Sequence, residues 1–150
     1  MTSFAHGTPI HGASILVTGG NRGFGLALVS EFLDRGAARV YATSRSAHTL
    51  GRGYEISKSG TWSATNGLRI QLATQGTRVT AIHVGYMDTD MAAGLQVPKV
   101  DPRDVARQTA DAIEAGELEV LADDTTRRVK SGLAGDVTAL YPQLLAAAPA

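Results

Sequence analysis

The chain has 150 residues, enough for about one domain with a buried core. Its 14 basic and 14 acidic side chains cancel, which excludes a whole-molecule field for nucleic acid or an anionic membrane, so any anion site must be local. Hydrophobic residues at 43% argue against disorder, and the absence of cysteine excludes disulfides, thiolate chemistry and cysteine-based zinc sites.

Residues 1–12 are polar, with His6, His11 and Pro9, and lack the basic and apolar regions of a signal peptide. A flexible leader is expected there. Ser14 to Val17 is a short apolar, β-branched run that enters the turn Thr18-Gly19-Gly20, which predicts a buried strand. From Gly23 the spacing turns helical, with Phe24, Leu28 and Phe32 on one face, and Arg35-Gly36 as the stop. Arg39 to Thr43 predicts a second strand, and the whole is a parallel, right-handed βαβ unit. Ser44 to Gly53 is polar loop. Tyr54 to Gln75 predicts a long helix anchored by Trp62, Leu68 and Leu72 and stopped by Gly76.

Arg78 to Val84 predicts a third strand, and Gly85 to Val100 an irregular segment broken by Gly94 and Pro98. Asp101-Pro102-Arg103-Asp104 is a helix start, with an acid cap, a proline in the first turn and a second acid at the positive end of the dipole. That helix is expected to run to Ala115-Gly116. Leu118 to Leu121 predicts a fourth strand, Thr125 to Leu140 a last helix, and residues 143–150 a loose tail. The expected architecture is a single α/β domain over residues 1–150, Rossmann-like and three-layered, with a reduced, mostly parallel sheet of about four strands. No apolar run reaches the roughly 20 residues that span a bilayer, and a cytoplasmic protein is expected.

The loop Thr18 to Gly25, TGGNRGFG, joins a strand to a helix, the setting in which glycines let backbone approach a pyrophosphate and free amides meet its charge. Gly19, Asn21, Arg22, Gly23, Phe24 and Gly25 are the candidate cofactor residues. A βα turn that only needs positive φ angles is the plainer alternative. An NAD site places an acid after the second strand to hold the ribose hydroxyls. Here no acid occurs between Asp34 and Glu55, while Arg45 and Arg22 can hold a 2′-phosphate, which favours NADP(H) over two solvated loop arginines.

Tyr54 and Lys58 stand four residues apart, on one face of the long helix. A free phenol titrates near about 10, and a neighbouring ammonium brings its proton transfer toward neutral pH. In isolation such a pair is more often an exposed tyrosine above a solvated lysine.

TGGNRGFG (Thr18 to Gly25), YEISK (Tyr54 to Lys58) and Gly85-Tyr86-Met87-Asp88-Thr89 after the third strand occur in the order of the short-chain dehydrogenase/reductase family, which this sequence resembles over residues 12–142. The last segment is similar to the family's PGxxxT, with Val84 in place of the proline. The resemblance implies an NADP(H)-dependent oxidoreductase that interconverts a carbonyl and an alcohol. Tyr54 is then the acid/base, Lys58 its partner and a hold on the nicotinamide ribose, and Thr89 the contact at the nicotinamide end. A small-molecule substrate is implied, with no nucleic acid, no membrane and a possible homo-oligomer.

The sequence also departs from the family. Only Ser46 to Gly53 separates Arg45 from Tyr54, so about 80 to 100 residues of βα units are missing, with an NNAG segment and the catalytic serine. The nine steps from Arg45 to Tyr54 reach at most about 30 Å, which permits the bypass. The first strand then either pairs with the third, in the order 2-1-3-4, or leaves an open slot. A non-catalytic nucleotide- or partner-binding remnant is the second reading. Asp88, Asp90, Asp123 and Asp124 match no metal-binding spacing and read as caps and turns. His83 reads as a satisfied core or edge histidine, and Arg127, Arg128 and Lys130 as a solvated face.

Overall fold

The computed structural model describes residues 7–20, 22–43, 54–136 and 138, with the backbone alone at residues 43 and 54–62. Strand β1 spans Ser14–Thr18, helix α1 Gly23–Asp34, strand β2 Arg39–Thr43 and helix α2 Tyr54–Ala73. Strand β3 (Ala81–His83), a 3-10 turn (Asp90–Ala92), helix α3 (Pro102–Ala115), strand β4 (Glu119–Leu121) and helix α4 (Asp124–Gly132) follow. The βαβ unit is parallel, with Leu16 opposite Tyr41 and Val17 opposite Ala42. β3 and β4 form a second parallel ladder, in which Ile82 faces Val120.

The two ladders are separate. Among the described residues no hydrogen bond joins β1 to β3, so the order 2-1-3-4 does not form and the alternative, an open slot between them, holds. The fold class expected from the sequence holds: helices and parallel strands alternate around a reduced sheet.

Helix α3 holds the two halves together. Its Asp101 cap accepts from the Arg103 amide at 2.8 Å, and Gly116 ends it at φ 74°. Val105, Ala106, Thr109, Ala110 and Ala112 are buried, a stripe at helical spacing. Ala110 and Ile113 pack with Ile10, Val17, Phe32 and Val40 on the β1–β2 side. Val105 and Ala112 pack with Val120, Ala122, Ile82 and Phe24 on the β3–β4 side. One helix thus serves both cores, and each large apolar side chain it buries contributes on the order of 1.5–3 kcal/mol. The buried Thr109 hydroxyl donates back to the Val105 carbonyl at 2.7 Å, so no polar atom is left bare there.

Arg35, at the C-terminal end of α1, fixes the α1–α3 packing from the rim. It binds Glu31 at 2.8 Å, Asp111 at 2.6 Å and Glu114 at 2.5 Å. Burial alone favours loss of its proton, yet the bonds to Asp111, Glu31 and Glu114 prevail and strengthen its hold on it.

Several expectations are corrected. Residues 7–12 are not a loose leader: Ile10 is 2% exposed in the core, and the Thr8 amide donates to the Ile113 carbonyl at 3.1 Å. β3 begins at Ala81 rather than Arg78, because its partner β4 is only three residues long. Leu68 does not anchor α2, being 45% exposed; Arg69 ties that helix down instead, its Nε donating to the Val79 carbonyl at 3.0 Å. Trp62 and the tail at 143–150 lie outside the described side chains and residues. α4 ends at Gly132, well short of Leu140. The basic face on it is partly paired, Arg127 with Asp124 at 2.9 Å and Lys130 with Glu119 at 2.8 Å. His83 is not satisfied: its buried Nε2 makes no hydrogen bond and lies 3.6 Å from Glu119.

Candidate functional site

The site forms where the C-terminal ends of β1, β3 and β4 meet. β1 leads through Gly19 and Gly20 to α1. Gly19 adopts φ 77° and Gly23 φ 52°, in the left-handed region that favours glycine. Among the described residues an added Cβ at Gly19 meets nothing within 4 Å. At Gly25 the reverse holds: a Cβ would stand 2.1 Å from the Gly19 carbonyl oxygen, so only glycine lets the helix close onto the loop. These are the two demands of a pyrophosphate loop, backbone open toward a ligand and a helix packed hard behind it.

Arg22 is the N-cap residue of α1, and no side chain among the described residues caps the helix. The first amides of a helix have no partner within it. They and the positive end of the dipole are the groups that bind a phosphate. Arg22 is exposed beside them. Phe24 packs partly buried against the β3–β4 core, with its amide in the first turn of the helix.

Thr89 comes to this loop from far along the chain. A Cβ on Gly23 would lie 3.2 Å from Thr89 Cγ2, so the Gly85 to Thr89 turn abuts the start of α1. Thr89 begins the 3-10 turn without spending its hydroxyl on a cap. The turn is pinned by Asp88, whose amide donates to the Val100 carbonyl at 2.9 Å, and by the Val100 amide, which donates to the Tyr86 carbonyl at 2.9 Å. Beyond it opens a cleft of about 740 Å³ lined by Asp88, Leu95, Val97, Pro98 and Lys99.

Asp123, just past the end of β4, bonds to the first residue of that turn. Its Oδ1 accepts from the Thr126 amide at 2.7 Å in a capping box, and its Oδ2 accepts from the Gly85 amide at 2.7 Å. Burial pushes this carboxyl up, but the amides of Thr126 and Gly85, the Thr126 hydroxyl and the Arg127 charge together hold it below its ordinary value. Sequence reasoning took Asp123 for a cap and missed its second bond. The signal in the sequence was the Asp123-to-Thr126 spacing, which locates the cap and says nothing of Gly85.

Of the expected site residues, the structure brings together Gly19, Arg22, Gly23, Phe24, Gly25 and Thr89. Asn21 and Arg45 lie outside the described residues. Tyr54 and Lys58 occupy the first and second turns of α2, and their side chains lie outside the described ones. Among the described residues no group of acids and histidines can hold a metal ion. No described helix is long and apolar enough to cross a membrane.

A glycine loop between a parallel strand and an uncapped helix, with a second strand-end turn against it, defines a Rossmann-like α/β protein. Comparison with solved structures makes that more specific. A short-chain dehydrogenase from Burkholderia cenocepacia, crystallised with NADP, matches with a TM-score of 0.78 at 20% identity, over 92% of this chain and 100% of that one. A protein assigned as a short-chain dehydrogenase from Novosphingobium aromaticivorans matches with a TM-score of 0.65 at 10% identity, over 95% of this chain and 89% of that one. The chain therefore has the fold of the short-chain dehydrogenases. No family model matches it, and no curated protein matches its sequence.

Proposed function

We propose that this protein is a shortened member of the short-chain dehydrogenase/reductase family that binds NADP(H) and interconverts a carbonyl and an alcohol. The observation that carries the reading is the contact between Gly23 and Thr89, which joins the glycine loop to the turn of the PGxxxT-like segment. The crystallised Burkholderia relative in fold, which holds NADP, supports the choice of cofactor. So does the lack of any acid between Asp34 and Glu55.

In this reading the amides of Gly23, Phe24 and Gly25 receive the pyrophosphate, Gly19 leaves room for it, and Asn21 is a further contact of the loop. Arg22 and Arg45 hold the 2′-phosphate by charge-assisted hydrogen bonds. Thr89 orients the nicotinamide end. The bound nicotinamide supplies or accepts the hydride. Tyr54 gives a proton to the carbonyl oxygen in reduction and takes it back in oxidation, and Lys58 favours the phenolate by its charge. The substrate is a small carbonyl compound or alcohol, admitted by the cleft that starts at Asp88, next to Thr89. Leu16 and Tyr41 lie exposed on the β1–β2 face turned away from α1, which supports self-association as part of the same reading.

The open slot between β1 and β3 and the missing serine favour a second reading, a binding module that no longer catalyses. Titration with NADPH and NADH, read by nicotinamide fluorescence, followed by assay of a carbonyl panel, separates the two. The enzyme reading expects tighter binding of NADPH than of NADH, and turnover that Tyr54→Phe lowers about 100-fold or more. Tight NADPH binding with no turnover supports a nucleotide-binding module, and absence of binding contradicts both the enzyme and the nucleotide-binding module.

A further inference from the structure

A helix cap requires one acceptor atom, and Asp123 has two in use. Its Oδ1 serves α4 through the Thr126 amide, while its Oδ2 reaches the Gly85 amide, 38 residues earlier in the chain. Asparagine or serine serves an N-cap about as well as aspartate, so the cap alone does not call for a carboxylate. The second bond does.

Gly85 opens the turn that ends at Thr89, and Thr89 packs on Gly23. The contacts from Asp123 to Gly85, and from Thr89 to Gly23, thus link the ends of β4, β3 and β1. Val84, unlike a proline, leaves φ free at the entrance to this turn, and β3 ends one residue before it, at His83. A short strand with a free exit needs an external hold if the turn is to keep one position against the glycine loop.

We propose that Asp123 is a positioning residue: by holding the Gly85 amide it sets the Gly85 to Thr89 turn, and with it the nicotinamide end of the dinucleotide site, against the start of α1. This rests on the NADP(H) reading above. Asp123 touches no part of the dinucleotide and acts through the turn. The Thr126 and Gly85 amides hold its pKa below the ordinary value against the push of burial and so keep it ionised, which strengthens both bonds.

The test compares the unaltered full-length chain with Asp123→Asn and Asp123→Ser. Both replacements can cap α4, and neither can at the same time accept from Gly85. Each protein is titrated with NADPH and, separately, with adenosine 2′,5′-bisphosphate, which carries the adenine end alone. Thermal unfolding of each is recorded alongside. The expected result is a Tm lowered by only about 2–4 °C at neutral pH, NADPH binding weaker by about tenfold, the size of one charge-assisted hydrogen bond, and unchanged binding of the bisphosphate. Equal weakening of both ligands would reduce Asp123 to a structural cap and overturn the proposal, as would NADPH binding unchanged in both variants. Failure of the unaltered chain to bind either ligand overturns the NADP(H) reading itself, and this proposal with it.

Discussion

The helices α1, α3 and α4 begin in two opposite ways. α3 starts with Pro102 under an Asp101 cap, and α4 starts under the Asp123 capping box. α1 starts at Gly23 after Arg22, with no side-chain cap among the described residues, no acid in its first turn and a cation in the cap position. Aspartate neutralises the positive end of a helix dipole and occupies its free amides, whereas arginine adds to the charge and leaves them free. α3 and α4 are finished for stability. α1 forgoes that cap, which on the proposed NADP(H) reading leaves its end for an anion brought from outside. The glycines agree: among the described residues nothing stands beside Gly19, and the space beside Gly25 is filled by the loop's own backbone.

The largest expected effect follows from the close packing behind that loop. Gly25→Ala puts a methyl 2.1 Å from the Gly19 carbonyl oxygen, so the loop must shift. NADPH binding should fall beyond detection in a fluorescence titration, while an unchanged affinity would mean that the loop does not hold the cofactor. A sharper contrast comes from making α1 resemble its neighbours. Arg22→Asp supplies the missing cap and should stabilise the protein by about 1 kcal/mol. It should also weaken NADPH by about tenfold or more, because a carboxylate then competes for the amides. A gain in Tm together with a loss of affinity is the signature; both rising together breaks the comparison.

The reciprocal change is smaller. Asp101→Ala removes the α3 cap and should cost about 1 kcal/mol in denaturant unfolding, with NADPH affinity unchanged. Acid offers a last, milder probe. Asp123 has a folded-state pKa below its unfolded value, so its contribution is fully present above the ordinary carboxylate range of about 4 and disappears as pH falls below that. A pH series of unfolding midpoints should therefore converge for the unaltered chain and Asp123→Asn below that range, and stay apart above it.

What the sequence made legible tracks how local each cause is. β1, α1, β2 and the start of α3 were readable because their boundaries are set by glycines, a proline and an acid within a few residues. The length of β3 was not, because it extends only as far as its three-residue partner β4, which the run from Arg78 to Val84 does not show. Ile10 looked like part of a polar leader since one apolar residue has no periodicity; its burial depends on α3, far along the chain. The buried Nε2 of His83, 3.6 Å from Glu119 and without a hydrogen bond among the described residues, is likewise a product of packing, invisible in a strand pattern. In the site, TGGNRGFG marked the loop, yet the bond from Asp123 to Gly85 exists only because β3 and β4 lie side by side.

The most direct test of the central claim is a backbone amide chemical-shift titration of the full-length protein with NADPH. The account predicts the largest shifts at Gly19, Gly23, Phe24, Gly25 and Thr89, with the capped amide of Arg103 at the start of α3 unmoved. Shifts confined to the cleft around Leu95 to Lys99, or none at all, would contradict it.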